Sequence, residues 1–248
     1  MRILGIDSAT RSASVALIED EVLIHEQIWE KDLTDARGSD SIRHCAETIV
    51  PLINSLLEKR HLTPADLSAI AVSIGPGSFT GLRVGLATAK GIAYSGGLPL
   101  IGISTLLALA ESVKNFDGII CSLLDARKND VYMGLFRRRA DVLSRLTDDA
   151  LLPIDRAIDW MRNRLAEAST DRLCVIGDAA EAHRQKLITA FNAKMVLTSD
   201  CDYPSIAQEV ALLARERLLG ESLDDLGALV PVYLRRPQAE ARKLHVSY

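Results

Sequence analysis

Two stretches of this 248-residue chain gather residue types that could hold phosphate or metal. The first is Asp7-Ser8-Ala9-Thr10, directly after the apolar run at residues 2–6. Hydroxyls and backbone N–H groups in a tight turn can form an anion nest, and a carboxylate beside it can hold magnesium through water. The same groups can equally satisfy the turn's own backbone donors. The second stretch is GPGSFTGLRVGLATAKG, residues 75–91. It is not a Walker A loop, because Leu82-Arg83 follows Gly81 where Lys-Ser/Thr is required. Nor is it GxGxxG, since its third glycine comes one residue late.

What distinguishes the second stretch is the helix that follows its turn. Gly81, Gly85, Ala89 and Ala93 recur every four residues, giving one helix face almost without side chains. Glycine inside a helix costs about 1 kcal/mol relative to alanine, so two of them one turn apart call for a compensating close approach. That approach could be made by a partner protein or second copy, or by the chain's own sheet, with Leu82, Val84 and Leu86 facing inward. The turn Gly75-Pro76-Gly77, together with Arg83, belongs to the same candidate docking surface.

No nucleophile constellation is visible, as Ser78 and Thr80 lack a GxSxG context and no His–Asp pairing follows from spacing. The cysteines at 45, 121, 174 and 201 form no CxxC, and the five histidines form no HxxxH or HExxH, so no metal site is expected. A net charge of −4 argues against a protein that holds nucleic acid by itself. The basic run Arg137-Arg138-Arg139 reads as a solvated strand end. Asp125, Arg127 and Asp130 form a charged cluster that salt-bridging at a strand turn would explain. No apolar run reaches the roughly 18 residues of a membrane span. The start MRILGIDSAT lacks the apolar region of a signal peptide, so a cytoplasmic location is expected.

The elements that must position these residues follow from periodicity. Strands are predicted near 2–6, 14–18 and 21–29, then a polar loop to 41 and a helix over 42–59. Pro51 predicts a kink or a late start in that helix. The apolar run 67–74 suits a buried parallel strand, and a helix follows over 79–95. A strand at 99–103 and a helix at 104–113, capped by Ser104 or Thr105, complete the first half. Strands at 118–124, 130–136 and 142–146 then repeat the opening pattern. A helix over 154–166, a strand at 173–176, one helix over 179–191 and a helix over 205–219 follow. The tail beyond 220 is expected to be peripheral.

A strand-Asp-turn-strand-strand unit thus occurs twice, beginning near residues 2 and 118. Two such halves are the plan of the actin-like ATPase fold (ASKHA, ribonuclease H-like), an α/β class. The division expected is 1–103 plus 205–219 for the first subdomain, 104–204 for the second and 220–248 for the tail. A working nucleotide site in that fold would use Asp7, Ser8, Thr10 and Asp125. However, the turn Asp125-Ala126-Arg127-Lys128 lacks the glycine that lets backbone approach phosphate, and Gly177-Asp178-Ala179 lacks a second glycine. Hydrolysis by this chain alone is not expected, and the halves read as degenerate.

The strings ILGIDSAT, GPGSFTGLRVGLATAKGIA, LLDARKNDVYMGLF and PVYLRR, in that order along nearly the whole chain, resemble the TsaB family of bacterial tRNA threonylcarbamoyladenosine synthesis. The resemblance implies a non-catalytic, actin-like paralogue of the catalytic subunit TsaD, pairing with it through the first two helices and permitting recruitment of the ATPase TsaE. ATP and magnesium would be handled by those partners, tRNA would be met only through the complex, and the isolated chain would self-associate. Mapped here, the pairing surface falls on Cys45, Ile49 and Ile53 of the first helix and on Gly81, Arg83, Gly85 and Ala89 of the second. The family often has His-Ser-Glu before the proline of the first helix, whereas this chain has His44-Cys45-Ala46-Glu47 and one extra residue before Pro51. Gly85→Leu is then expected to abolish pairing and leave the fold intact. Competing readings are a stand-alone actin-like nucleotide-binding protein, or a peptidase of the kind older descriptions call glycoprotease-like.

Overall fold

A computed structural model of the chain describes residues 1–29, 41–168, 172–192, 195–197 and 205–235, with the side chains of 41–47 outside that set. The first sheet is built from β1 (Arg2–Asp7), β2 (Ala13–Glu19), β3 (Val22–Trp29), β4 (Ala69–Gly75) and β5 (Leu100–Ser104). Its order is β3-β2-β1-β4-β5, antiparallel on the β3 side and parallel from β1 to β5. The second sheet repeats this plan with β6 (Gly118–Asp125), β7 (Asp130–Arg139), β8 (Val142–Arg145), β10 (Leu173–Ile176) and β11 (Met195–Leu197), in the order β11-β10-β6-β7-β8. An additional strand, β9 (Ala150–Pro153), pairs with the first half of β7 while β8 pairs with the second half.

The α/β alternation fixes the layers. Helices α1 (Ser41–Glu58) and α2 (Phe79–Gly96) cover the outer face of the first sheet, burying Ile49, Ile53, Leu56, Leu86 and Ala89 against Leu4, Ile6, Ile70 and Val72. On the other side, α4 (Ile154–Glu167), α5 (Asp178–Ala182) and α6 (Arg184–Phe191) cover the second sheet. Between the sheets lie α3 (Thr105–Ser112) and α7 (Ala207–Leu219). One apolar cluster runs through this middle layer, from Ile3 and Ala71 through Leu106, Leu109 and Val210 to Ile120 and Phe136. The alternation of β1, with Ile3 in the middle layer and Leu4 under α1 and α2, is the period of two that a sheet buried on both faces uses.

Several local expectations are corrected. Helix α1 continues through Pro51, which is exposed, so its missing N–H and ring lie on the solvent side. The helix expected over 179–191 is two helices that meet at His183, whose φ/ψ of −112°/16° turns the chain by one corner. The run at 137–139 is not a solvated strand end. Arg138 is 3% exposed and pairs with Glu111 of α3 at 2.6 Å, while Arg137 donates to the Ala168 carbonyl; only Arg139 is exposed. The tail is also anchored where described. Asp224 accepts from Gly102 N–H and pairs with Arg217, Leu226 and Leu229 pack against the first-half core, and Val232 N–H donates to the Ile74 carbonyl. Residues 222–235 are therefore a strap laid along β5, β4 and α2. The polar loop expected up to 41, and the tail beyond 235, lie outside the described residues.

A buried guanidinium is tolerable only with its counter-charge. Glu111→Ala leaves Arg138 charged in the interlayer, and the expected loss is about 3 kcal/mol of unfolding free energy by urea titration. Arg138→Met, which removes the charge and keeps the packing, is expected to cost clearly less.

Candidate functional site

The turn after β1 and the start of α2 touch, and this contact organises the surroundings of both. Ser78 caps α2 by accepting from Gly81 N–H, and Gly97, left-handed at φ 62°, ends it. Ser8 donates its hydroxyl to the Gly81 carbonyl at 2.7 Å. A Cβ placed on Gly81 would stand 1.8 Å from the Ser8 carbonyl oxygen, and one on Gly85 would stand 2.2 Å from Ser8 Oγ. The small-residue face is thus turned inward: Gly81, Gly85, Ala89 and Ala93 are all buried by the chain itself. The expectation that this face meets a partner is corrected, and of the two readings left open, internal packing is the one observed. Gly85→Leu would drive a side chain into Ser8, so it tests folding and not docking.

The remaining candidates of the docking set divide similarly. Ile49 and Ile53 are buried under α1. Gly75 and Pro76 are buried and Gly77 is half-buried, and a Cβ on Gly75 or Gly77 would meet the Val232 or Ala9 carbonyl respectively. Arg83 is exposed, lies 3.9 Å over the Phe79 ring and donates to the Tyr233 hydroxyl at 2.9 Å. The side chain of Cys45 lies outside the described residues.

The face left open is the opposite one. Arg83, Ala87, Gly91 and Ser95 also recur every four residues and are exposed, and the Cβ position of Gly91 has no atom within 4 Å. Beside them α1 presents Val50, 46% exposed, and Asn54. Between the helices runs a mostly apolar groove of about 380 Å³, lined by Val50, Asn54, Leu62, Thr88, Gly91 and Ile92 among others. Of the exposed stripe only Arg83 is among the named docking candidates; Ala87, Ser95, Val50 and Asn54 are not, although the second four-residue spacing is as visible in the sequence as the first.

The candidate nucleotide residues do not form one open site. Asp7 is fully buried; its carboxylate accepts from Ala9 N–H at 3.1 Å and from the Thr10 hydroxyl at 2.7 Å. Burial raises its pKa above the usual carboxylate value, and the hydrogen bonds from Thr10 and Ala9 only partly offset that. Ser8 is used on Gly81, and Thr10 is half-buried. Asp125 is exposed and caps Arg127 N–H, while its own N–H donates to Asp178. Among the described residues, no group of three or more His, Cys, Asp or Glu is placed to hold a metal ion. Nor, among those residues, is any helix long and apolar enough to cross a membrane.

Comparison with known proteins decides the family. The model of TsaD, tRNA N6-adenosine threonylcarbamoyltransferase, matches residues 38–243. The tRNA threonylcarbamoyladenosine biosynthesis protein TsaB of Bacillus subtilis is 30% identical over 242 residues, spanning 98% of this chain and 97% of that protein. The chain belongs to the TsaB family. Among solved structures, YeaZ from Pseudomonas aeruginosa superposes with a TM-score of 0.70 at 19% identity, covering 94% of this chain and 99% of that one. An inorganic polyphosphate/ATP-glucomannokinase from Arthrobacter superposes with a TM-score of 0.51 at 10% identity, covering 88% of this chain and 99% of that one. The two-sheet α/β architecture is accordingly that of the actin-like fold.

The two faces of α2 make opposite predictions. Gly81→Ala is expected to lower unfolding free energy by about 3 kcal/mol, because backbone stands where its methyl must go. Gly91→Ala is expected to raise it by about 1 kcal/mol, as helix propensity alone acts there; equal effects in urea unfolding would refute the assignment of faces. For Asp7 the folded pKa lies above the unfolded one, so its contribution favours folding at low pH and is lost as pH rises through the raised value. Asp7→Asn, whose amide can still serve Ala9 and Thr10, is therefore expected to gain stability over the parent at pH 7 relative to pH 4.

Proposed function

We propose that this chain is a non-catalytic subunit of the assembly that adds a threonylcarbamoyl group to the adenosine beside the anticodon of tRNA. It pairs with the catalytic paralogue TsaD and supports recruitment of the ATPase TsaE. Its family relatives carry names in tRNA threonylcarbamoyladenosine biosynthesis, and the TsaD model covers most of its length. The single observation that carries the pairing is the open α1–α2 groove, an apolar channel on the outer helix layer flanked by an exposed stripe of small residues. Exposed apolar surface of this kind is typical of a protein contact.

A paired helix could lie against Ala87 and Gly91 at short distance, with Val50 and Ile92 supplying apolar contact. A surface that fits a paralogue of the same fold also fits a second copy of itself, so the isolated chain would dimerise through the same groove. With Asp7 and Ser8 used internally, ATP and magnesium fall to the partner subunits. The net charge of −4 suits a subunit that meets tRNA through the assembly and works in the cytoplasm.

Co-expression with TsaD followed by size-exclusion chromatography tests this. Gly91→Arg and Val50→Glu, both pointing to solvent, are expected to abolish co-elution and leave the thermal midpoint within a few degrees of the parent. Undiminished co-elution of both variants would overturn the groove as the pairing surface.

A further inference from the structure

Beyond pairing, the turns at which the two halves meet carry a second device. The carboxyl ends of β1, β6 and β10 all point there, each followed by a turn with charged residues. Arg11, in the turn from β1 to β2, reaches across to Asp178 at the start of α5, Nε to Oδ2 at 3.3 Å. The other oxygen of Asp178 accepts the Asp125 N–H at 2.7 Å, so one carboxylate ties all three turns together. The Asp178 side chain is 14% exposed and that of Arg11 49%. A second bridge comes from the strap: Arg235 pairs with Asp130 at the start of β7, having passed Ile74 and Arg83 of the first half on the way. Between Asp125 and Asp130 the chain takes three successive left-handed residues, Arg127, Lys128 and Asn129, at φ 64°, 56° and 68°. Such a run is strained for residues with a Cβ and persists only where its surroundings hold it. The two acids that are held, Asp178 against its base and Asp130 at its end, are the partners of Arg11 and Arg235.

We propose that Arg11–Asp178 and Arg235–Asp130 form a clamp, made of the chain's own side chains, that holds the turns of the two halves together. Each pair joins one half to the other, beside the middle-layer core of α3 and α7, which reaches these turns at Leu124 and Ile176. Opening then requires both pairs to part, and the strap couples that opening to the N-terminus of α2 through Val232 and Tyr233.

Hydrogen–deuterium exchange on the full chain tests the clamp with Arg11→Gln, Arg235→Gln and the double variant; Arg11 is exposed, Arg235 is partly buried, and neither lines the α1–α2 groove. The double variant is expected to exchange about tenfold faster at amides 124–127 and 178–180, with each single variant in between and the amides of β2 and β7 unchanged. Exchange equal to the parent at those amides, or an acceleration uniform over the chain, would overturn the proposal. Because no partner protein is present, the result is independent of whether TsaD binds the groove.

Discussion

The close approach of Ser8 to the second helix is the constraint on which the rest depends. At that point two backbones come within reach of one another, and only glycine at 81 and 85 lets them. The approach fixes the height of α2 over β1 and β4, and with it the position of α1 and the groove between the helices. It also determines the chemistry of the first turn. Once Ser8 is committed to the Gly81 carbonyl and Asp7 to Ala9 and Thr10, the turn's polar groups face inward. A phosphate-binding turn needs the same groups to face outward. The helix contact and the fate of the turn are one packing decision.

The duplication explains why the strand ends of the two halves meet. Two sheets of equal plan, each covered by helices outside and sharing α3 and α7 between them, bring like strand ends to one place. In such an arrangement loops at the carboxyl ends of parallel strands are the usual place for a ligand. In this chain that place is populated by Arg11, Asp125, Asp130, Asp178 and Arg235, which satisfy one another. Long side chains stand where a glycine-bearing turn would leave backbone bare.

Much of this was legible in the sequence because the signals are local. The apolar runs of β1, β4 and β6, the cap at Ser104, and the doubled strand-Asp-turn pattern all act within a few residues. What escaped is non-local. A four-residue stripe shows that one face of α2 is small without showing what meets it, because Ser8 is more than seventy residues away in sequence. Arg138 looks like a solvent charge until the middle layer places Glu111 beside it. The corner at His183 is invisible to periodicity, since Ala180, Leu187 and Phe191 keep helical spacing across it. Strands as short as β9 and β11 have too few residues for a pattern of two to register. The strap is charged and exposed enough to read as loose, yet Asp224 and Val232 anchor it through backbone groups that carry no sequence signal.

The two stripes of α2 finally separate what the fold needs from what the function needs. Each glycine inside the helix costs about 1 kcal/mol against alanine. For Gly81 and Gly85 that cost is offset within the chain, by the Ser8 hydrogen bond and by burial against β1 and β4. For Gly91 nothing among the described residues offsets it: none of their atoms lies within 4 Å of its Cβ position, and Ala87 and Ser95 beside it are exposed. A local cost without a local return is what the proposed pairing would account for. The helix that follows the glycine-rich turn therefore has one small face that builds the fold, and on its other side Ala87, Gly91 and Ser95 stay open to solvent.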